Sequence, residues 1–249
     1  LIAAETQALL RDSVAAEPVG ERPLKGFAEP QLLYRPVAGG TAGTTGQGHP
    51  PFVARKAALQ RIAQSKVPSL IIGPAGIGKT ALARHLAALA ESAVIIGADG
   101  LNARASYQPF ARWIAQTCGR SLPDYADLST HFPDLDADAT GALALVLGLP
   151  EGQRLLIEKS NLALSGFIEA SLWAAIKSRH SSGLLVVEDL HWLDAASFGV
   201  LVHIIQNADP QQLGILMTSR EDTKIGRYLG RLPVTTVPLD PLTNDEARE

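Results

Sequence analysis

"SLIIGPAGIGKTALARHLAAL", Ser69–Leu89, is the stretch that decides the fold. It opens with a short apolar run of strand type between Pro68 and Gly73. It closes with Leu82, Leu86 and Leu89 at helical spacing. Between them "GPAGIGKT", Gly73–Thr80, matches the pattern G-x-x-x-x-G-K-S/T. The spacing has a mechanical reason. The loop Gly73-Pro74-Ala75-Gly76-Ile77-Gly78 must wrap its backbone N–H groups round a phosphate, and glycines permit the turns and the close approach. Lys79 then places an ammonium on the β and γ oxygens, Thr80 offers a hydroxyl to Mg²⁺, and the following helix aims its positive end at the phosphates. The expected ligand is ATP, or a closely related nucleoside triphosphate, with Mg²⁺.

Such a loop needs a partner acid to hold the magnesium shell and align water. "LLVVEDLHWLD", Leu184–Asp194, supplies apolar strand residues that end abruptly in Glu188 and Asp189. Two acids at the end of a buried strand are costly unless a cation or donors sit there. Glu188 is the expected magnesium-shell carboxylate and Asp189 the group expected to polarise the attacking water; the reverse assignment stays open. Asp194 reads as the N-cap of the next helix. His191 reads either as a γ-phosphate sensor or as a packed or solvent-facing loop residue, and Trp192 as a packing residue. "LMTSR" puts Thr218, Ser219 and Arg220 past the end of another strand. From there the Arg220 guanidinium is placed to report on the γ-phosphate, since its fork binds phosphate bidentately; a plain surface arginine is the alternative.

Working outward, strands and helices alternate. "ARKAALQRIAQS" reads as an amphipathic helix, 93–98 as a strand, and "YQPFARWIAQTCG" as a helix closed by Gly119. Residues 183–189, 213–220 and 234–239 read as further strands, with a helix at "SFGVLVHIIQNA". The region 153–180 reads as one long helix or two shorter ones. Residues 121–140 carry Asp124, Asp127, Asp134, Asp136 and Asp138 and read as an irregular solvated loop rather than a calcium site, because no glycine stands at the central turn. The alternation implies an α/β fold with a mainly parallel sheet covered on both faces, and ligands in such sheets sit at the carboxyl ends of the strands.

Upstream, "PVAGGTAGTTGQGHPP", Pro36–Pro51, is rich in Gly, Thr and Pro and has almost nothing to bury, so a flexible linker is expected over 38–50. Residues 1–37 are too few to fold alone. They read as a helical turn or two in "AETQALLRDSV", then two short strands around a turn at Phe27–Pro30. The stretch reads as a segment of a longer chain. It has 249 residues, 46% hydrophobic and 19% charged, with net charge -3. That balance fits a globular protein and gives no general pull towards nucleic acid. No apolar run approaches the roughly 20 residues of a membrane span, and "LIAAETQALL" lacks a basic signal-peptide start. Cys118 is the single cysteine, so an internal disulfide is excluded and it reads as a small apolar helix residue. A cytoplasmic setting is expected.

Together the motifs resemble the nucleotide-binding domain of the STAND signalling ATPases, within the wider AAA-like group. The resemblance covers residues 51–249 and implies the three-layer P-loop NTPase fold. It is carried by "GPAGIGKTAL", "VVEDLHWLDAAS", "LMTSRED" and "YQPFARWI". "PFVARKAAL" resembles the family's segment before the P-loop, with Ala54 where the family usually has Gly; Arg55 falls on the motif's arginine and is implied as a nucleotide-site residue. "PLDPLTNDEARE" resembles the entry to a helical lid. "VGERPLKGFAEPQLLYRPV" resembles the C-terminal tail of a class III adenylate/guanylate cyclase domain, with Lys25 where that family often has a triphosphate-contacting lysine. The implied parent joins a cyclase in cis to a regulatory ATPase that binds ATP and ADP; this segment lacks the cyclase's own catalytic residues, and oligomerisation is allowed. Three readings follow: a slowly hydrolysing switch, a binding module without turnover, and the ATPase part of a helix-turn-helix transcription regulator. The last fits least, since no basic recognition helix is visible.

Overall fold

The four residues between Pro68 and Gly73 are too few for a helix and largely apolar. In a computed structural model, which describes residues 2–3, 16–22, 31–36, 55–100, 106–155, 161–221 and 223–242, they form an interior strand of a five-stranded sheet. The chain divides into two compact units, Leu1–Pro51 and Phe52–Glu249.

The first unit contains β1 (Ile2–Ala3), β2 (Ala16–Arg22) and β3 (Gln31–Pro36), antiparallel in the order β1-β3-β2. The expected pair of strands is present, although the first begins at Ala16, upstream of Gly20, where the register shifts and the backbone turns to φ +104°. The turn at 27–30, Lys25, the helix expected near the start and the linker 38–50 all lie outside the described residues.

The second unit runs α1 (Lys56–Gln64), β4 (Ser69–Ile72), α2 (Lys79–Leu89), β5 (Ala93–Gly97), α3 (Gln108–Thr117), α4 (Tyr125–His131), α5 (Ala137–Val146), α6 (Asn161–Arg179), β6 (Gly183–Glu188), α7 (Ala195–Asn207), β7 (Leu213–Ser219), α8 (Thr223–Leu229) and β8 (Thr235–Pro238). Its sheet has the order β5-β6-β7-β4-β8, and every pairing is parallel. This is the α/β P-loop NTPase fold. The strand β4, which leads into the Gly-rich loop, is separated from the acidic strand β6 by β7 alone, so the carboxyl ends of all three share one edge.

The two-residue period of the strands divides the core. Ile71, Val186, Leu216 and Val237 point to one face, under Ala58 of α1 and Leu82, Ala83 and Ala87 of α2. Ile96, Leu185, Val187, Ile215 and Met217 point to the other, against Phe110 and Trp113 of α3, Leu172 and Ile176 of α6, and Phe198 and Leu201 of α7. Strands covered on both faces carry near-continuous apolar runs, which is why 183–187 and 213–217 lack alternation in sequence.

Helix α3 ends as expected. Gly119 adopts φ +65°, and the N–H groups of Gly119 and Arg120 return to the carbonyls of Gln116 and Ala115 at 3.0 and 3.1 Å. The acidic region is a correction: it is largely helical. Asp124 accepts the Asp127 N–H and Asp127 accepts the Asp124 N–H, both at 2.9 Å, a reciprocal box that starts α4. Asp136 accepts the Ala139 N–H at 2.7 Å and starts α5. Asp127 also takes Arg120 at 2.9 Å, and Asp138 takes Arg154 at 2.8 Å. A 3-10 turn covers Pro150–Gly152; within 153–180, residues 154–155 are helical, 156–160 are outside the described residues, and one helix covers 161–179. Cys118 is buried at the end of α3, and burial pushes its thiol above the ordinary range. Among the described residues no helix is long and apolar enough to cross a membrane.

Candidate functional site

The Gly-rich loop owes its shape to two left-handed residues. Gly76 sits at φ +76° and Gly78 at φ +98°, where a side chain is strained whatever space surrounds it. Gly73 is required for another reason: a Cβ there would lie 3.0 Å from the Leu239 carbonyl and 3.2 Å from Ile77 Cγ2. Ile77 packs against the core under α2 and anchors the loop from behind. The loop and the start of α2 border a cavity of about 300 Å³, lined by Ala75, Gly76, Gly78, Lys79, Thr80, Asp189 and Arg220. Lys79 is 6% exposed, and its Nζ donates to the carbonyls of Gly73 and Pro74 at 2.9 and 2.8 Å. Burial lowers its pKa from the usual lysine value; Asp189 opposes that shift and Arg220 adds to it.

The structure separates the two acids. Glu188 follows Val186 onto the face under α2, and Arg84 grips it through two parallel contacts, Nε to Oε1 at 3.2 Å and Nη2 to Oε2 at 3.1 Å. The Glu188 side chain is only 8% exposed, against 60% for Arg84. Glu188 does not line the cavity. Asp189 does, because its backbone turns into the left-handed region, φ 59° and ψ 51°. Its N–H donates to the hydroxyl of buried Thr218 at 3.0 Å, which ties the end of β6 to the end of β7.

The neighbouring residues sort by burial. His191 is packed in the loop at 9% side-chain exposure, with Nδ1 3.9 Å from Asp189 Oδ1. Trp192 is 40% exposed and lies on Gly100, where a Cβ would stand 3.1 Å from the indole. Asp194 caps α7, accepting the Ser197 N–H at 3.0 Å and its hydroxyl at 2.6 Å. Arg220 lies just past β7, exposed, and lines the cavity. Arg55 does not line it. Its Nη2 donates to the Ile77 carbonyl at 2.7 Å and its Nη1 to the Asp240 carbonyl, strapping the loop to the segment that leaves β8. Lys25 is outside the described residues.

Arg84 is a site neighbour that the sequence did not point to, and Thr218, read as lying past its strand, is the penultimate residue of β7. Arg84 follows Lys79 by five positions, the one hint available; that it meets a carboxylate 104 residues away is a product of sheet order. A larger cavity, about 590 Å³, lies on the opposite sheet face against Leu70, Ile72, Ile225, Leu229 and Val234 and shares only Arg220 with the smaller one. Its apolar walls offer a polyphosphate little, whereas amides, an ammonium, a hydroxyl and a carboxylate converge on the smaller cavity.

A strand running through a glycine-shaped loop into a helix, with an acid delivered from one strand beyond its neighbour, defines a P-loop nucleotide-binding domain. A family model described as the AAA ATPase domain matches residues 55–217, and the chain belongs to that family. The match ends before Arg220. None of the curated proteins compared with the chain matches it.

Proposed function

We propose that this domain binds Mg·ATP in the cavity bordered by Gly73–Thr80, hydrolyses it slowly, and serves as a regulatory switch of the STAND type in a protein that also carries a nucleotidyl cyclase domain. The observation that carries the reading is the convergence of Lys79, Thr80, Asp189 and Arg220 on one cavity at the carboxyl ends of β4, β6 and β7. The oxygen donors of Thr80 and Asp189 suit Mg²⁺, a hard cation that keeps several waters and takes few protein ligands. Bound there, Mg²⁺ would neutralise phosphate charge. Lys79 and Arg220 would supply the remaining positive charge around the γ-phosphate, and Asp189 would orient the attacking water. Of the two assignments the sequence left open, this geometry favours Asp189 as the carboxylate nearer the ligand, with Glu188 behind it.

The cyclase link is supported by the resemblance of residues 19–37 and by the antiparallel pairing of β2 with β3, which takes in Gly20–Arg22 and Gln31–Pro36 of them. Binding without turnover is the second reading, and the restraint of Glu188 by Arg84 favours it. Calorimetry with ATP, ADP and GTP, with and without Mg²⁺, tests the site, and Asp189→Asn separates the readings. Loss of turnover with retained binding supports the switch; a wild type that binds but never hydrolyses supports the second reading. Undiminished affinity in Lys79→Ala would refute both.

A further inference from the structure

Glu188 closes the acidic strand, yet its carboxylate is spent on α2. The fork of Arg84 meets both oxygens, at 3.2 and 3.1 Å, in the side-on geometry that fixes direction as well as distance. Beside it Gly97 contributes no side chain; a Cβ there would stand 3.9 Å from Glu188 Oε2. Arg84 belongs to the same helix that begins with Lys79 and Thr80, so the element that presents the phosphate-binding groups also holds the second carboxylate. A nearly buried carboxylate held by a cationic partner stays where that partner puts it, because leaving means losing the charge that offsets its desolvation.

We infer that Arg84 is a positioning residue of the nucleotide site. It withholds Glu188 from the bound cation and leaves Asp189 as the one carboxylate among the described residues that lines the cavity, so that the resting domain holds Mg²⁺ loosely and turns over slowly. Release of Arg84 hands the cation a second carboxylate. The inference rests on the reading of the cavity as a Mg·ATP site.

The test compares wild type, Arg84→Ala, Arg84→Lys and Arg84→Ala/Glu188→Gln, with ADP affinity measured by calorimetry across a Mg²⁺ titration and turnover measured in parallel. Arg84→Ala should lower the Mg²⁺ concentration for half-maximal ADP affinity by roughly 3- to 10-fold, since cation affinity follows the charge and number of carboxylate ligands. Adding Glu188→Gln should remove the gain, and Arg84→Lys, which keeps the charge but not the fork, should fall between. Without nucleotide, Arg84→Ala should lower the melting temperature by about 2–6 °C, and the double variant should recover part of that loss, because it no longer strands a buried charge. A gain that persists in the double variant, or an Mg²⁺ dependence unchanged by Arg84→Ala, overturns the role of Arg84. A wild type that binds no nucleotide overturns the site reading instead.

Discussion

Asp189 holds a backbone conformation that only glycine adopts without cost, and this makes it a place where stability and activity should part. At φ 59° and ψ 51° the residue lies in the left-handed well. For a residue with a Cβ that well costs about 1–2 kcal/mol, somewhat less for Asp, whose side chain tolerates it. Asp189→Gly removes the strain and the carboxylate together; Asp189→Ala removes the carboxylate and keeps the strain. Both lose the same chemistry, so their difference in stability isolates the backbone. The flexibility of glycine in the unfolded chain offsets part of the gain, which leaves the Gly variant about 0.5–1 kcal/mol more stable than the Ala variant. For a domain of about 200 residues that is roughly 1–4 °C in melting temperature. The assay is thermal unfolding of both variants alongside Mg·ATP turnover. Turnover should fall at least about 100-fold in each, the scale of losing one well-placed catalytic group. An Ala variant that melts at or above the Gly variant refutes the strain, and a Gly variant that still turns over refutes the role of the carboxylate.

Thr218→Val keeps the shape of a buried side chain but leaves the Asp189 N–H without its acceptor at 3.0 Å; it should cost about 1–3 kcal/mol, read by denaturant unfolding, and should lower turnover as Asp189 loses its place. His180 is hydrogen-bonded to Ser92 Oγ at 2.8 Å, and burial lowers its pKa below 6.5. The unfolded chain therefore binds the proton more readily, and the stability contributed by neutral His180 is complete above pH 6.5 and is lost as the pH falls through the lowered value. Melting temperatures between pH 7.5 and 5 should fall less steeply for His180→Asn than for wild type, and equal slopes would refute the assignment. Cys118, 6% exposed with its thiol pushed up by burial, should react with a thiol reagent only at the rate of unfolding, and an immediate stoichiometric reaction would place it at the surface.

The fold was legible where local rules coincide. Strand β4, the loop and α2 are a contiguous unit whose glycines, apolar run and helical leucines point the same way, and Gly119 and Asp194 are stop and start signals with local hydrogen bonds. The acidic segment misled because five aspartates look like a solvated run; Asp124, Asp127 and Asp136 instead satisfy N–H groups at two helix starts, a local role that composition hides. The site was legible in its membership less than in its geometry. Two adjacent acids at a strand end would point to different faces if both lay in the strand, since the side-chain period is two, but Asp189 lies past β6, and which acid meets the cavity depends on its left-handed backbone turn and on an arginine that only the folded sheet brings near.

The strand between the two motifs explains how these pieces meet at one cavity. β7 pairs with β4 so that Ile72 stands beside Ser219, and with β6 so that Val187 stands beside Met217. Its last residues are therefore level with the start of the phosphate loop on one side and the acid pair on the other. Thr218 faces the acid side and fixes the Asp189 backbone; Arg220, two residues on, enters the cavity. One strand end thus positions a carboxylate and a guanidinium on the same volume. A shift of that end by a single residue would reverse its side chains, withdrawing the hydroxyl from Asp189 and the guanidinium from the cavity together. Opposite charges governed by one element would respond to a ligand as a unit, as the switch proposed above requires.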